Sequence, residues 1–99
     1  MSKEKKAYVY ILCNDRENVL YIGSTEDLKK RIYLHKKRLI AGFTKKYNVT
    51  RLVYFEEHPN IEKAIEREKY LKGKTRIKKN IIIESTNPDW ADLTTEIPE

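Results

Sequence analysis

Two short runs rich in β-branched and aromatic residues dominate the first quarter of the chain. They are Tyr8 to Cys13 (YVYILC) and Val19 to Gly23 (VLYIG), and the turn cluster NDREN separates them. Such runs read as strands, the first of them buried. A five-residue connection between them predicts an antiparallel hairpin. A hairpin is not stable alone in water and needs further elements laid against it. The rest of the chain must therefore supply those elements.

It does so in a readable order. Ser24, Thr25, Glu26 and Asp27 open a helix: a hydroxyl can cap free N–H groups, and the acids favour the positive end of the dipole. Leu28, Ile32, His35 and Leu39 recur at helical spacing, and Gly42 closes the segment. Phe43 to Tyr47 reads as a basic, aromatic loop, and Leu52 to Phe55 as a third strand. Asn60 caps a second helix through Ile61, Ala64, Ile65, Glu68 and Leu71, which Gly73 ends. Thr75 caps a third through Ile77, Ile81 and Ile82, and a turn follows at Asn87 to Trp90. Residues 94–99, an acidic tail with almost nothing to bury, are expected to fray. The expected fold is α+β: a three-stranded, mainly antiparallel sheet flanked by helices, in the order β-β-α-β-α-α.

Length and composition bound the function. At 99 residues the chain predicts one domain over 1–99, with its core over about 7–93. The single cysteine, Cys13, excludes an internal disulfide framework and a cysteine zinc site, and reads as a small core hydrophobe. Absence of disulfides fits a reducing cytoplasm. The apolar run after the charged N-terminus is too brief for a signal peptide, and nothing approaches the roughly 20 apolar residues that span a bilayer. Lysine and arginine number 21 against 15 acids, a net charge of +6, with clusters from Lys29 to Lys46 and from Lys69 to Lys79. That excess suits a binder of phosphate backbones. Solvated helix faces would show it equally.

Several residues break the patterning. Glu68 falls in the middle of the stripe of Ile61, Ala64, Ile65 and Leu71, where a carboxylate is costly unless paired. It is either a salt-bridged residue near the helix end or a carboxylate aimed into a site. His35 lies among Leu28, Ile32 and Leu39, with Arg31 one turn earlier, and reads as a satisfied core histidine or a site residue. Tyr10 and Tyr21 sit on the paired strands, and Gly23 stands where a backbone approaches another group closely. Local violations of this kind mark functional sites. His35 and His58 have no zinc-ligand spacing with a cysteine, and the 3 glycines form no phosphate loop.

These residues resemble a known family. Tyr8-Val9-Tyr10, ten intervening residues and Tyr21-Ile22-Gly23 are similar to the paired signature of the GIY-YIG nuclease domain, with Tyr8 where glycine would stand. The segment Ser24 to Arg31 with His35, and the helix Ala64 to Gly73 around Glu68, fall in register. Asn87 to Leu93 resembles the closing segment of the small bacterial, single-domain branch. The resemblance implies an endonuclease that hydrolyses phosphodiester bonds with one divalent metal, Mg²⁺ or Mn²⁺. Glu68 would be the metal's one protein ligand, Arg31 would hold the scissile phosphate, and Tyr10 would activate the attacking water. Tyr21 and His35 would orient the water or share its proton, with Gly23 and Asn87 in support. These five catalytic side chains are expected to converge on one face of the sheet. Lys36, Lys37, Lys45, Lys46, Lys72, Lys74 and Lys78 would make nonspecific backbone contacts with DNA, branched or damaged DNA included. Membranes and small-molecule cofactors are not expected partners. A catalytically idle nucleic-acid-binding module on the same fold is the alternative, and a structural protein with a basic surface the third reading.

Overall fold

A computed structural model describes residues 5–40 and 42–98. β1 (Ala7–Cys13) and β2 (Leu20–Thr25) form the expected hairpin, and β3 (Arg51–His58) completes an antiparallel sheet of order β2-β1-β3. The helices are α1 (Leu28–Lys36), α2 (Phe43–Lys46), α3 (Ile61–Lys72) and α4 (Arg76–Thr86), with a 3₁₀ turn at Thr94–Glu96. The expected order of elements holds, with the one-turn helix α2 added where a loop was read.

β1 is the centre of the molecule, and its side chains alternate between two cores. Val9, Ile11 and Cys13 face α3 and α4, packing with Ile22, Val53, Ala64, Leu71, Ile83 and Trp90. Tyr10 and Leu12 face the other way, against Leu28 and Ile32 of α1, Val49 and Leu52. Burial on both faces explains why β1 reads as a continuous apolar run. Cys13 is fully buried, and that burial pushes its thiol up to about 11, consistent with a packing role.

Caps and termini depart from the sequence reading in instructive ways. α1 is capped by Asp27, whose carboxylate accepts from the Lys30 N–H, and not by a hydroxyl. The helix stops at Lys36 because Arg38 takes a left-handed conformation (φ 57°), which leaves Leu39 exposed. Gly42 does not close α1; at φ 99° it opens α2, a conformation that suits glycine. α3 and α4 are capped by Asn60 and Thr75 as expected. On α4, however, Ile83 is buried while Ile77 and Ile81 are exposed, and on α3 Ile65 is exposed too. At the end of α4 the Asn87 amide donates to the carbonyls of Val53 and Ala91, tying the helix end to β3.

The C-terminal segment is docked rather than frayed as far as it is described. The Leu93 N–H donates to the Leu52 carbonyl at 2.8 Å, and Leu93 and Ile97 pack on the α1 side of the sheet. Glu99, also read as part of a frayed tail, lies outside the described residues. Among the described residues no helix is long and apolar enough to cross a membrane.

Candidate active site

The hairpin register sets the site. Tyr10 lies across from Gly23, and Tyr21 across from Leu12, so both tyrosines project from the same face two residues apart. α1 crosses that face and lays His35 beside them. Ring centroids are 6.2 Å apart for Tyr10 and Tyr21, 5.8 Å for Tyr10 and His35, and 5.6 Å for Tyr21 and His35. Gly23 gives the Tyr10 ring its room, since the phenol lies directly over the glycine.

Both nitrogens of His35 are engaged. Nε2 lies 3.1 Å from the Tyr10 hydroxyl, and Nδ1 3.2 Å from the Thr44 hydroxyl. Thr44 is the one buried residue of α2. Burial holds His35 well below its usual range, at about 4, and the Arg31 guanidinium adds to that lowering. The imidazole is therefore neutral near pH 7. The Tyr10 hydroxyl is raised, chiefly by burial and then by Tyr21. Arg31 opposes that rise and Glu68 adds to it, so both charges act on the phenol.

Glu68 is not on the tyrosines' face. α3 covers the opposite side of the sheet, with Ala64 and Leu71 in the core on that side. The expectation that all five residues share one face is thus corrected. They gather instead around the free edge of the sheet, strand β2. There the Ser24 hydroxyl donates to Glu68 Oε1 at 2.5 Å, and the Lys72 ammonium meets Oε2 at 2.6 Å. Alternation along β2 explains the geometry: Ser24 points to the α3 side while its neighbour Gly23 lies under Tyr10. Ser24 also lines a cavity of about 580 Å³ with Arg31, Lys30 and Lys5. Arg31 on one side of the strand and the partner of Glu68 on the other therefore open onto the same hollow, which Glu26 and Asp27 also line.

Among the described residues no group of three or more histidine, cysteine or acidic side chains could hold a metal. Glu68 stands alone, 19% exposed, with a cation already at its Oε2 in the flexible ammonium of Lys72. One anionic oxygen donor beside an open cavity fits Mg²⁺, which keeps most of its waters and binds through one or two carboxylates plus phosphate.

The remaining residues sort by their contacts. Asn87 is buried, and its side chain bonds backbone groups, accepting from the Ala91 N–H besides its two donations. Lys36 does not present a free ammonium: it binds Asp92 at 2.5 Å and the Thr50 carbonyl at 3.0 Å, clasping the C-terminal segment. Lys37, Lys46 and Lys74 lie over the rings of Tyr33, Tyr47 and Tyr70. Lys45 and Lys78 are exposed. Sequence reasoning missed Thr44 and the bond from Ser24 to Glu68, because nothing local marks a hydroxyl whose partner lies on another element.

The comparisons with known proteins agree on one relationship. A family model described as the GIY-YIG catalytic domain matches residues 6–80. A UPF0213 protein of Clostridium perfringens is 43% identical over 91 residues, covering 91% of this chain and 96% of that protein. A UPF0213 protein of Streptococcus sanguinis is 39% identical over 74 residues, covering 74% and 83%. The solution NMR structure of a UPF0213 protein from Bacillus halodurans aligns with a TM-score of 0.56 at 29% identity, covering 91% of this chain and 95% of that one.

Proposed function

This chain belongs to the GIY-YIG family of nucleases, and from that premise we propose that it is a metal-dependent DNA endonuclease of the cytoplasm, acting as a single domain. One observation carries the reading: the Tyr10–His35 pair and the Ser24–Glu68 pair flank the same edge strand, with Arg31 open to the cavity beside them.

Arg31 would grip the scissile phosphate, because a planar guanidinium matches two phosphate oxygens. With the proton on Nδ1 and directed at Thr44, His35 Nε2 accepts from the Tyr10 hydroxyl. The Tyr10 oxygen then keeps a lone pair for the attacking water. A buried phenol is a poor resting base, so Tyr10 would pass its proton to Nε2 as it takes one from water. The negative charge of the bound phosphate favours the imidazolium formed. Tyr21, the more exposed of the two phenols, would orient the water. Mg²⁺ or Mn²⁺ held by Glu68 would supply charge stabilisation for the phosphorane and the leaving oxygen. Lys72 must release Glu68 for that, and its exposed, flexible stem permits it.

The idle binding module draws support from that same ion pair, since Lys72 already balances Glu68. The two readings separate on incubation of the protein with supercoiled and branched DNA, with and without Mg²⁺ or Mn²⁺. Nicking that requires the metal supports the nuclease. Salt-sensitive binding with no cleavage under any metal supports the idle module.

A further inference from the structure

Three aromatic rings run outward from the catalytic cluster. Tyr21 and Phe43 lie nearly parallel, 29° apart with centroids at 6.3 Å, and Phe43 meets Tyr47 at 4.8 Å. Phe43 is 47% exposed and Tyr47 43%. The core does not account for them, since α2 buries only Thr44. One exposed phenylalanine would need no explanation, but a contiguous run of exposed rings marks an interaction surface.

The surroundings say which. Beside Phe43 opens a cleft of about 340 Å³, walled by Leu20, Tyr21, Ile22 and Phe43 and lipped by Lys79 and by Lys72, whose ammonium is paired with Glu68. Lys46 stands over Tyr47 at 5.4 Å. Flat aromatic walls with cations at the rim match a flat ring joined to an anion, which is the chemistry of a nucleobase and its phosphate. Tyr21 belongs both to this cleft and to the catalytic cluster. A base in intact duplex has its two faces already stacked, so only an unpaired base can enter.

We propose that the cleft is a base-stacking subsite. It takes one unpaired nucleobase of DNA adjacent to the phosphate at Arg31, so that single-stranded or frayed DNA is used in preference to intact duplex. This deepens the nuclease reading and rests on it for the position of the phosphate.

The test is equilibrium binding in EDTA, where no cleavage occurs, to a short single strand and to its duplex. Phe43→Leu keeps an apolar side chain at a half-exposed position, and circular dichroism checks its fold. It should weaken single-strand binding about ten-fold, the loss of one stacked base, and change duplex binding less than about two-fold. Phe43→Trp should bind the single strand at least as well as the parent. On a strand trimmed to the length one protein covers, so that a single register is available, a scanned abasic site should cost the parent about ten-fold at one position and cost Phe43→Leu nothing further there. Equal effects of Phe43→Leu on strand and duplex, or additive losses at every abasic position, overturn the subsite. So does loss of self-association on Phe43→Leu with unchanged DNA binding, which assigns the patch to a second copy. Cleavage is scored separately with metal. A parent that cuts no DNA overturns the nuclease reading, whereas a parent that cuts strand and duplex alike overturns only the subsite.

Discussion

The phenol of Tyr10 occupies the space in which a side chain at Gly23 would begin. An ideal Cβ there would stand 2.6 Å from the Tyr10 hydroxyl oxygen, 2.7 Å from its Cζ and 3.0 Å from Cε2 of Tyr21. Tyr10 is buried and tied to His35, so it has little room to retreat. Gly23→Ala should destabilise the fold by about 1–3 kcal/mol through overpacking. Cleavage should fall about 100-fold, the usual cost of displacing a catalytic group by about 1 Å. Thermal melting and a nicking assay on the same preparation check this. A stable variant with full activity would show that the placement of Tyr10 is irrelevant to the chemistry.

Glu68→Gln should abolish metal-dependent cleavage while leaving the fold and DNA binding in place. The amide oxygen can still accept from Ser24, and the ion pair lost with Lys72 lies near the surface, where such pairs contribute about 0–1 kcal/mol. What disappears is the anionic oxygen that a hard cation requires. Denaturation, anisotropy and nicking measured together decide it. If the variant unfolds and its folded fraction stays active, Glu68 is a structural partner only.

Thr44→Val removes the hydroxyl that holds His35 Nδ1 and leaves that nitrogen buried without a partner. A stability loss of about 1–3 kcal/mol is expected, with a fall in cleavage of roughly 10- to 100-fold, part of what acid–base catalysis contributes. Thr44→Ser should restore both. Imidazole ¹⁵N spectra supply the deciding readout. The parent should show the proton on Nδ1 and the valine variant a changed tautomer; unchanged spectra would leave Thr44 a packing residue.

Stability should also depend on pH through His35. Its pKa is about 4 in the fold, against 6.5 for the free side chain. The neutral form is favoured in the native state, so the unfolded chain takes up the proton first as pH falls. The contribution is complete above about pH 6.5 and is lost progressively down to about pH 4. A shift of this size corresponds to roughly 3 kcal/mol. Urea denaturation across that window should show the slope, and His35→Gln should lack it. Carboxylates that titrate in the same range are common to both proteins, so the difference isolates His35.

Local chemistry made much of this protein legible in one dimension. Alternating β-branched and aromatic residues specify the hairpin, and Asn60 and Thr75 specify where α3 and α4 begin, because neighbours in sequence carry those signals. Glu68 and His35 stood out because a polar side chain in an apolar stripe is visible in the stripe itself. Tertiary structure decided the rest. β1 is buried on both faces, and a strand of that kind does not say which helix covers which side. That is why Glu68 lies across the sheet from Tyr10 and meets it only around the edge of β2. The face that α4 turns inward, with Ile83 in the core, is set by contacts with other elements, the bond from Asn87 to Val53 among them. α2 forms in a stretch that reads as a loop, and its buried Thr44 finds a partner in His35 only after α1 has crossed the sheet. Each of these depends on strand register and on the side at which the chain crosses, and neither is encoded by residues adjacent in sequence.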